Sequence, residues 1–334
     1  MINEITDVDS LKWSDFINSK AESNIFHTKN WLKVLKDVYG YEITLFVKVN
    51  SSDEIISGFP VAKLGAKYVS LPFSDYVPLL GMEAEKDILK DKIFEINSRP
   101  LSIVLKDKIL NDKFVCVSND VIHFGYYSTT FSDVEDKFVY NHKWGVKKAR
   151  KEGLYVKIHK DIDGIERYYK LHLMTRKRQG TPSQSFKFFK SVFENIIEKN
   201  LGIVSLVYKG NTPVAGGVYL HFNKTFTHKY SASDYSYWKM QPNNLLMYEM
   251  IKYAVENGFK VFDFGKTDLK NEGLRKFKSG WGAEEKPLYY SYYPDYKESK
   301  LFEFAKDRIV APVIKHSPKF VCRMVGEAFY KYSV

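Results

Sequence analysis

The sequence predicts an α/β chain in which two similar domains follow one another and a helical tail comes after them. The length of 334 residues suits two domains of ordinary size. Hydrophobic residues make up 44% and charged residues 27%, the balance of a globular protein with a packed core. Strand and helix patterns follow in a clear order in the second half, and a fainter copy of that order runs through the first. We therefore predict domains at residues 1–145 and 146–295, with the tail at residues 296–334.

The second half has the clearer pattern. Apolar residues alternate at Leu154, Val156 and Ile158, as they do in a half-buried strand. Helices are predicted where apolar residues recur every three or four positions, and glycine ends them at Gly180 and Gly258. The predicted strands are residues 153–159, 203–208, 213–222, 225–233, 259–264 and 288–292. The predicted helices are residues 165–178, 186–197 and 243–257, with a short helix before the last strand.

The first half repeats this order, which we interpret as an internal duplication. Its predicted strands are residues 2–5, 43–49, 54–64, 68–71 and 101–105. Its predicted helices are residues 11–18, 28–38 and 86–97. The two halves join near residues 140–153, where basic side chains fall on one face of a possible helix.

Strand, two helices, three-stranded meander, helix, strand, short helix and strand is the element order of the GNAT N-acetyltransferase fold. We therefore predict tandem GNAT-like N-acyltransferase domains with a helical C-terminal tail. The tail carries two amphipathic stripes separated by Pro312, with Lys315, Lys319 and Arg323 among them. This pattern predicts either a helical cap packed on the second domain or a helix that lies on a membrane surface.

The charge and the cysteine content limit the classes of partner. Lysine and arginine number 51 against 40 aspartate and glutamate, a net charge of +11. Such a surface favours anionic partners (phosphates, RNA, nucleotide-sugars or lipid headgroups), although a solvated basic surface fits equally. The two cysteines, Cys116 and Cys322, lie far apart and form no metal or disulfide pattern. Without a signal peptide or a spanning segment of about 20 apolar residues, we expect a cytoplasmic protein, with peripheral contact to the inner membrane surface through the basic tail left open.

Several short segments, in order and at matching spacing, resemble the FemA/FemB-like proteins. In the second half they are residues 173–182 (LMTRKRQGTP), 230–233 (YSAS), 241–246 (QPNNLL), 262–266 (FDFGK) and 273–282 (GLRKFKSGWG). In the first half they are residues 26–31 (FHTKNW) and 70–76 (SLPFSDY). The resemblance covers the chain up to about residue 295.

The resemblance implies a tandem acetyltransferase-like fold. In the peptidoglycan-bridge enzymes of that family, an amino acid passes from aminoacyl-tRNA to a side-chain amine of a cell-wall precursor. Two departures put the muropeptide-nucleotide substrate in doubt. This chain lacks the long helical hairpin of some bridge-forming members. It also has Leu35 four residues after Trp31, where those enzymes often carry a phosphate-binding lysine.

Acyl transfer to an amine needs a polarised carbonyl and a group that takes the amine proton. The pair Phe277 and Lys278 resembles the pair that contacts the aminoacyl group in bridge enzymes, which makes Lys278 the first catalytic candidate; a surface lysine is the alternative. Asp263 ends a predicted strand and is the second candidate, as base or amine-binding group, or alternatively as a cap for the turn that follows.

The remaining candidates are substrate-binding residues. Arginines at a helix C-terminus could clamp a phosphate or carboxylate, or could simply complement the helix dipole. The others lie in the matched segments, where a core tyrosine, a helix-start residue or a solvated lysine is in each case the alternative. The set is Arg176, Arg178, Tyr230, Ser233, Asn243, Lys266 and Phe277. The histidines form no metal pattern, so we expect no metal, no covalent nucleophile and no tightly bound cofactor.

The stretch before the central helix, residues 234–244, contains no glycine. Acetyl-CoA enzymes of this fold use a glycine-rich loop there to cradle the pyrophosphate, so the sequence favours aminoacyl-tRNA over acyl-CoA as the donor. The leading hypothesis is an acyl- or aminoacyltransferase that acts on an amine of an envelope or polysaccharide precursor. The alternatives are an acetyl-CoA-dependent N-acetyltransferase of amino-sugars and a non-catalytic scaffold. The acceptor and the oligomeric state stay open.

Overall fold

The computed structural model describes residues 2–82, 102–109, 112–128, 130–296 and 310–329. The described residues form two compact units: those within 1–121 and 287–296, and those within 122–286 and 310–329. This division differs from the predicted domain boundaries of 145 and 295. Residues 122–145 lie with the second unit because they supply part of a strand and two helices that pack within it. The predicted helix at residues 86–97 and the first amphipathic stripe of the tail lie outside the described residues.

The first unit contains the predicted strand, helix pair and meander. Its helices are α1 (Leu11–Asn18) and α2 (Lys29–Tyr39). Its strands are β1 (Ile2–Ile5), β2 (Glu42–Val49), β3 (Ile55–Leu64), β4 (Lys67–Val69), β5 (Leu80–Gly81) and β6 (Ser102–Leu105). Strands β1 to β4 pair antiparallel in sequence order, and β4 pairs parallel with β6. Buried Phe46, Phe59 and Ile103 form part of its core, so the faint pattern of the first half does specify a packed sheet.

The second unit follows the predicted order closely. Two strands, β7 (Val115–Tyr126) and β13 (Glu284–Tyr293), contribute residues to both units. The other strands are β8 (Leu154–His159), β9 (Gly202–Lys209), β10 (Thr212–Phe222), β11 (Thr225–Ser233) and β12 (Val261–Asp268). The helices are α3 (Phe131–Asp136), α4 (Tyr140–Lys151), α5 (Ile162–Gln179), α6 (Phe186–Val192), α7 (Pro242–Glu256) and α8 (Glu272–Ser279). A π-helical turn, Phe193–Ile197, extends α6, and a 3-10 turn, Tyr235–Met240, precedes α7.

Local chemistry explains where these helices begin and end. The Asp161 side chain accepts the backbone N–H of Gly164 at the start of α5. Gly180 ends α5 with a φ of +70°, a left-handed conformation that glycine adopts without strain. By contrast α7 begins with Pro242 and has no side-chain cap. The N-terminal turn of α7 is therefore bounded by proline and not by a capping carboxylate or hydroxyl.

The two central strands of the second unit diverge. Strands β8, β9, β10 and β11 pair antiparallel, whereas β11 and β12 are parallel. The parallel pairing joins only residues 225–227 of β11 to residues 261–263 of β12. Both strands continue for five or six residues beyond it, to Ser233 and Asp268. The sheet is therefore split on the side toward which both strands run, and ligands of open α/β sheets bind at such a place.

A β-bulge in β11 lies beside this split. Val218 pairs with Tyr230, but the next residue of β10, Tyr219, pairs with His228, so Lys229 is the extra residue. The bulge reverses the alternation of side chains along the strand. The His228 ring stacks on Tyr219 at 4.6 Å between centroids, whereas Tyr230 packs against Phe189 at 5.4 Å. His228 and Tyr230 therefore lie on opposite faces of β11 and pack in different layers of the unit.

The described part of the tail packs on α5 of the second unit. It forms α9 (Ala311–His316) and α10 (Lys319–Phe329), in which Ile314 and Cys322 are fully buried. The backbone N–H of Ser183 donates to the Cys322 carbonyl at 3.4 Å. A Cβ at Gly326 would lie 1.7 Å from the Ser183 carbonyl oxygen, so only glycine fits there. The helical-cap interpretation therefore holds for residues 310–329, and within the described ranges no helix is long and apolar enough to cross a bilayer.

Candidate active site

Lys278 on α8 is buried at the split between the two strands. Only 6% of its surface is exposed. Its Nζ donates to the carbonyl oxygens of Gly265, at 2.7 Å, and Lys266, at 3.1 Å, both on β12. A buried ammonium is costly unless polar groups replace its water, and these two carbonyls do so. The structure thus holds a positive charge in a fixed position next to the diverging strand.

Asp263 binds the backbone N–H of the same glycine. The carboxyl group is fully buried, and its Oδ1 accepts the backbone N–H of Gly265 at 2.8 Å. Gly265 has a φ of +72°, which a residue with a Cβ rarely adopts. This conformation lets the glycine present its N–H to Asp263 and its carbonyl to Lys278. The two predicted catalytic residues therefore meet at Gly265, and Asp263 also forms the turn contact named as its alternative.

Two buried histidines lie in the field of Lys278. Burial, reinforced by the charge of Lys278, lowers the pKa of His228 to about 3. The same two causes lower the pKa of His123 to about 4, although the Glu285 carboxylate lies 3.2 Å from its Nε2. Both rings are neutral at pH 7. Groups with such low pKa values accept protons poorly at that pH, so neither suits the role of general base.

His142 on α4 joins α8 to the start of α7. Its Nε2 donates to the carbonyl of Phe277 at 2.8 Å, because a carbonyl oxygen can only accept. Its Nδ1 then accepts, and the Asn244 side-chain amide lies 3.3 Å away to donate. The imidazole also stacks on Trp281 at 4.4 Å between centroids. A neutral ring with both nitrogens engaged thus ties Phe277, the residue before Lys278, to the first turn of α7.

A second group of predicted residues meets around Ser233, at the end of β11. The Ser233 hydroxyl accepts from Trp238 Nε1 at 2.8 Å and from the Asn243 amide at 3.4 Å. Its backbone N–H donates to Thr175 Oγ1 on α5 at 3.0 Å. The Arg178 guanidinium lies over the Trp238 ring, 4.4 Å from its centroid. The end of α5, the end of β11 and the start of α7 therefore converge.

The remaining predicted residues are placed less directly. Tyr230 is 7% exposed and packs among Phe188, Phe189 and His172, as a core tyrosine does. It does not share the layer of His228, so its predicted substrate contact stays a prediction. Arg176 is half-buried. Burial, and after it the charge of Arg176, lowers the pKa of His172 well below its ordinary value.

Two predicted residues close to Lys278 differ in exposure. Lys266 is exposed and meets Lys278 through its backbone carbonyl, so its predicted ligand contact stays a prediction. Phe277 is half-buried, with its ring 5.0 Å from His142 and 6.0 Å from Trp281. Phe277 therefore packs against the residues that hold Lys278 in place, while part of its side chain remains exposed.

His142, His228, His123 and Trp238 were not predicted as site residues. Nothing in the pattern around His142 marks it, because its hydrogen-bond partners lie 102 and 135 residues away in the sequence. Trp238 had a detectable signal: it lies in the glycine-free stretch where the acetyl-CoA cradle is missing. The structure fills that stretch with a 3-10 turn that carries aromatic side chains.

One group of potential metal ligands occurs elsewhere in the second unit, at His159, Asp161 and Asp163. Its members already have protein partners. Asp161 caps α5, and Asp163 accepts from Arg167 at 2.6 Å. The His159 Nε2 lies 3.0 Å from the Tyr208 hydroxyl. These contacts explain the cluster as the anchored start of α5.

Comparison with known proteins agrees with the fold. The model of the acetyltransferase (GNAT) domain family matches residues 136–298, which include Asp263 and Lys278. A lipid II:glycine glycyltransferase of Staphylococcus haemolyticus is 37% identical over 98 residues, 27% of this chain and 23% of that protein. One from Staphylococcus aureus is 35% identical over 98 residues. The matched segment thus spans about a quarter of the length of these curated relatives.

Solved structures show the same fold over most of the chain. The crystal structure of FemX aligns with a TM-score of 0.68 at 14% identity, covering 91% of this chain and all of that one. The C-terminal domain of a lysylphosphatidylglycerol synthetase from Agrobacterium fabrum aligns with a TM-score of 0.60 at 10% identity, covering 91% of this chain and 95% of that one. Residues 136–298 therefore match the GNAT acyltransferase domain family, and the order of the segments and the similarity to lipid II:glycine glycyltransferases support a FemA/FemB-like relationship.

Proposed function

We propose that this chain is an aminoacyltransferase that moves an aminoacyl group from aminoacyl-tRNA to an amine of a cell-envelope precursor. The observation that carries the proposal is the buried ammonium of Lys278, held by the carbonyls of Gly265 and Lys266 where β11 and β12 diverge. A fixed cation in a site with little water stabilises negative charge that develops on a carbonyl oxygen. The family and the curated glycyltransferases support the reaction class.

In the proposed reaction, the acceptor amine attacks the carbonyl carbon of the aminoacyl ester. The new C–N bond forms as the carbonyl oxygen gains negative charge, which Lys278 stabilises. The C–O bond to the ribose then breaks, and the ribose oxygen leaves with the proton that the amine gives up. No covalent enzyme intermediate is required. Asp263 holds Gly265 in position, and a further role in accepting the amine proton is tested separately below.

The donor follows from the stretch before α7. Residues 234–241 form a compact 3-10 turn ended by Gln241 in the left-handed conformation, and they include no glycine. Bulky side chains stand where a backbone cradle for a pyrophosphate would need close approach. This composition disfavours acetyl-CoA and supports a donor bound by other means.

The acceptor in this proposal is an amine of an envelope precursor, because the curated relatives are named lipid II:glycine glycyltransferases. We further propose that the chain works in the cytoplasm with peripheral contact to the inner membrane surface. The tail supports this proposal: Val313 and Met324 are 47% and 58% exposed, and Lys315 and Arg323 are exposed on the same two helices. Exposed apolar residues mixed with cations are typical of a helix that contacts anionic headgroups.

A mass-shift assay with two donors tests the proposed function. The purified chain is mixed with a set of amine acceptors (lipid II, an amino-sugar nucleotide and a lysine peptide) and with either glycyl-tRNA and other aminoacyl-tRNAs or acetyl-CoA. We expect an acceptor to gain the mass of an aminoacyl group only with aminoacyl-tRNA. A gain of 42 Da, the mass of an acetyl group, with acetyl-CoA alone would establish the N-acetyltransferase alternative. If the folded protein gives no product with any donor, the result would favour the non-catalytic scaffold.

A further inference from the structure

An exposed aromatic pair stands at the mouth of the split sheet. Tyr235 and Trp238, on the 3-10 turn before α7, are 65% and 38% exposed. Their ring centroids lie 4.9 Å apart with an interplanar angle of 60°. The Arg178 guanidinium lies over the Trp238 ring at 4.4 Å and is itself exposed. Two rings and a guanidinium thus form a stacking surface, which we call the aromatic platform.

The platform is fixed by hydrogen bonds and not by burial. Trp238 Nε1 donates to the Ser233 hydroxyl at 2.8 Å, and the same hydroxyl accepts from Asn243. The turn itself is tightened where Asp234 Oδ1 accepts the backbone N–H of Ser236 at 2.9 Å. Exposing a large apolar ring to water is unfavourable, and such a ring contributes little to the core. The Trp238 ring is nevertheless held in place through its N–H group. Such an arrangement is expected of a ring that a ligand covers.

Three cations outnumber the Asp234 carboxylate around the platform. Arg178 is part of it, Lys177 precedes Arg178, and Lys239 is exposed directly after Trp238. The ligand is therefore anionic as well as flat. Nucleobases joined by phosphates meet both conditions, because bases stack on aromatic and guanidinium planes while cations contact the backbone.

We propose that Tyr235, Trp238 and Arg178 bind the bases of a single-stranded RNA 3′ end, the end that carries the aminoacyl group. This proposal rests on the proposed function and names the subsite that would hold its donor. Coenzyme A and nucleotide-sugars also carry a base, but both carry a pyrophosphate, and the glycine-free turn offers no cradle for one. A single-stranded RNA end needs none, and it offers successive bases to two adjacent rings.

The experiment compares Trp238→Leu with Trp144→Leu. Leucine keeps the apolar bulk and removes the π face. Trp144 on α4 is a matched control: it is 47% exposed, and Lys148 Nζ lies 5.2 Å from its ring centroid. Binding of a fluorescent single-stranded RNA hexamer ending in CCA is measured by anisotropy at one fixed salt concentration. We expect Trp238→Leu to weaken binding about 10-fold or more and Trp144→Leu to change it less than about 2-fold.

Equal RNA affinities for the wild type and Trp238→Leu would overturn the platform. So would a result in which Trp238→Leu weakens only the competing ligands, acetyl-CoA or UDP-N-acetylglucosamine, because the base would then belong to another molecule. The two proposals fail separately. Wild-type transfer from aminoacyl-tRNA with RNA binding indifferent to Trp238 removes the platform and keeps the function. RNA binding that depends on Trp238, in a protein that transfers nothing, keeps the platform and removes the function.

Discussion

Replacing Lys278 with methionine is expected to lower the rate of aminoacyl transfer by about 10²-fold or more while the protein stays folded. Methionine keeps most of the apolar stem and removes the charge that the carbonyls of Gly265 and Lys266 hold in place. The loss should appear in kcat, because the charge acts on the oxyanion of the transition state and not on the neutral ester. Two carbonyl oxygens lose their donor while the cost of burying the ammonium is relieved, so we expect the free energy of unfolding to fall by about 1–3 kcal/mol.

Lys276→Met is the control for this variant. Lys276 lies two residues earlier on the same helix, where its side chain is 82% exposed and its Nζ is 3.7 Å from a Glu272 oxygen. An exposed i,i+4 pair of this kind contributes little, so this variant should keep the wild-type transfer rate and stability. Single-turnover rates with saturating donor, together with urea unfolding, separate the outcomes. Full transfer by a folded Lys278→Met protein would make Lys278 a structural residue.

Replacing Asp263 is expected to have the second large effect, and the size should depend on the replacement. Alanine leaves the buried N–H of Gly265 without its carboxylate acceptor, which costs about 1–3 kcal/mol of folding free energy. Gly265 then loses the contact that orients the carbonyl bound to Lys278, so transfer should fall about 10²-fold with it. Asparagine keeps an acceptor oxygen in the same place, so we expect Asp263→Asn to retain more stability and more activity than Asp263→Ala.

The order wild type, asparagine, alanine identifies Asp263 as a positioning residue. The pH dependence of kcat distinguishes this role from that of a base. A positioning residue leaves the acidic limb of the profile unchanged in the asparagine variant. If Asp263→Asn is folded like the wild type but as inactive as Asp263→Ala, and its acidic limb disappears, the carboxylate takes the amine proton and the positioning assignment is wrong.

The sequence predicted the strands and helices with strong periodicity to within a few residues. Strand β11 has the predicted bounds, and α7 differs by one residue at each end. These elements succeed because each has a clear start or stop, such as proline at the beginning of α7 or glycine after α5. The meander of the first unit was found from weaker alternation, and the observed antiparallel pairing of β2, β3 and β4 agrees with the duplication.

Strand β7 and helix α3 were not predicted. Residues 118–120 of β7 are serine, asparagine and aspartate, which are depleted in strands, so the pattern reads as a loop. This strand is stabilised by its neighbours in the sheet, and neighbours distant in sequence leave no periodicity to detect. The predicted domain boundary lies later than the observed division partly for the same reason, because α4 packs on α7, about a hundred residues further along the chain.

The residues of the site also include some that the sequence predicted and some that it did not. Lys278 and Asp263 were identified from matched segments and strand ends, and the structure brings both to Gly265. The support around them was not predictable. His142 acts through Phe277 and Asn244, and only the folded chain shows that these three residues meet. Tyr230 illustrates the converse: a bulge of one residue decides which layer its ring enters, and no sequence pattern marked that bulge.

Photo-crosslinking tests most directly whether the donor binds at the split sheet of the second unit. The probe is an RNA 3′ end that carries an amino acid with a diazirine side chain on a non-hydrolysable linkage, and crosslinked peptides are identified by mass spectrometry after proteolysis. We expect crosslinks within residues 262–282, which hold Gly265, Lys266 and Lys278, and we expect excess aminoacyl-tRNA, but not acetyl-CoA, to suppress them. Crosslinks confined to residues 2–82 of the first unit, or displaced only by acetyl-CoA, would contradict it.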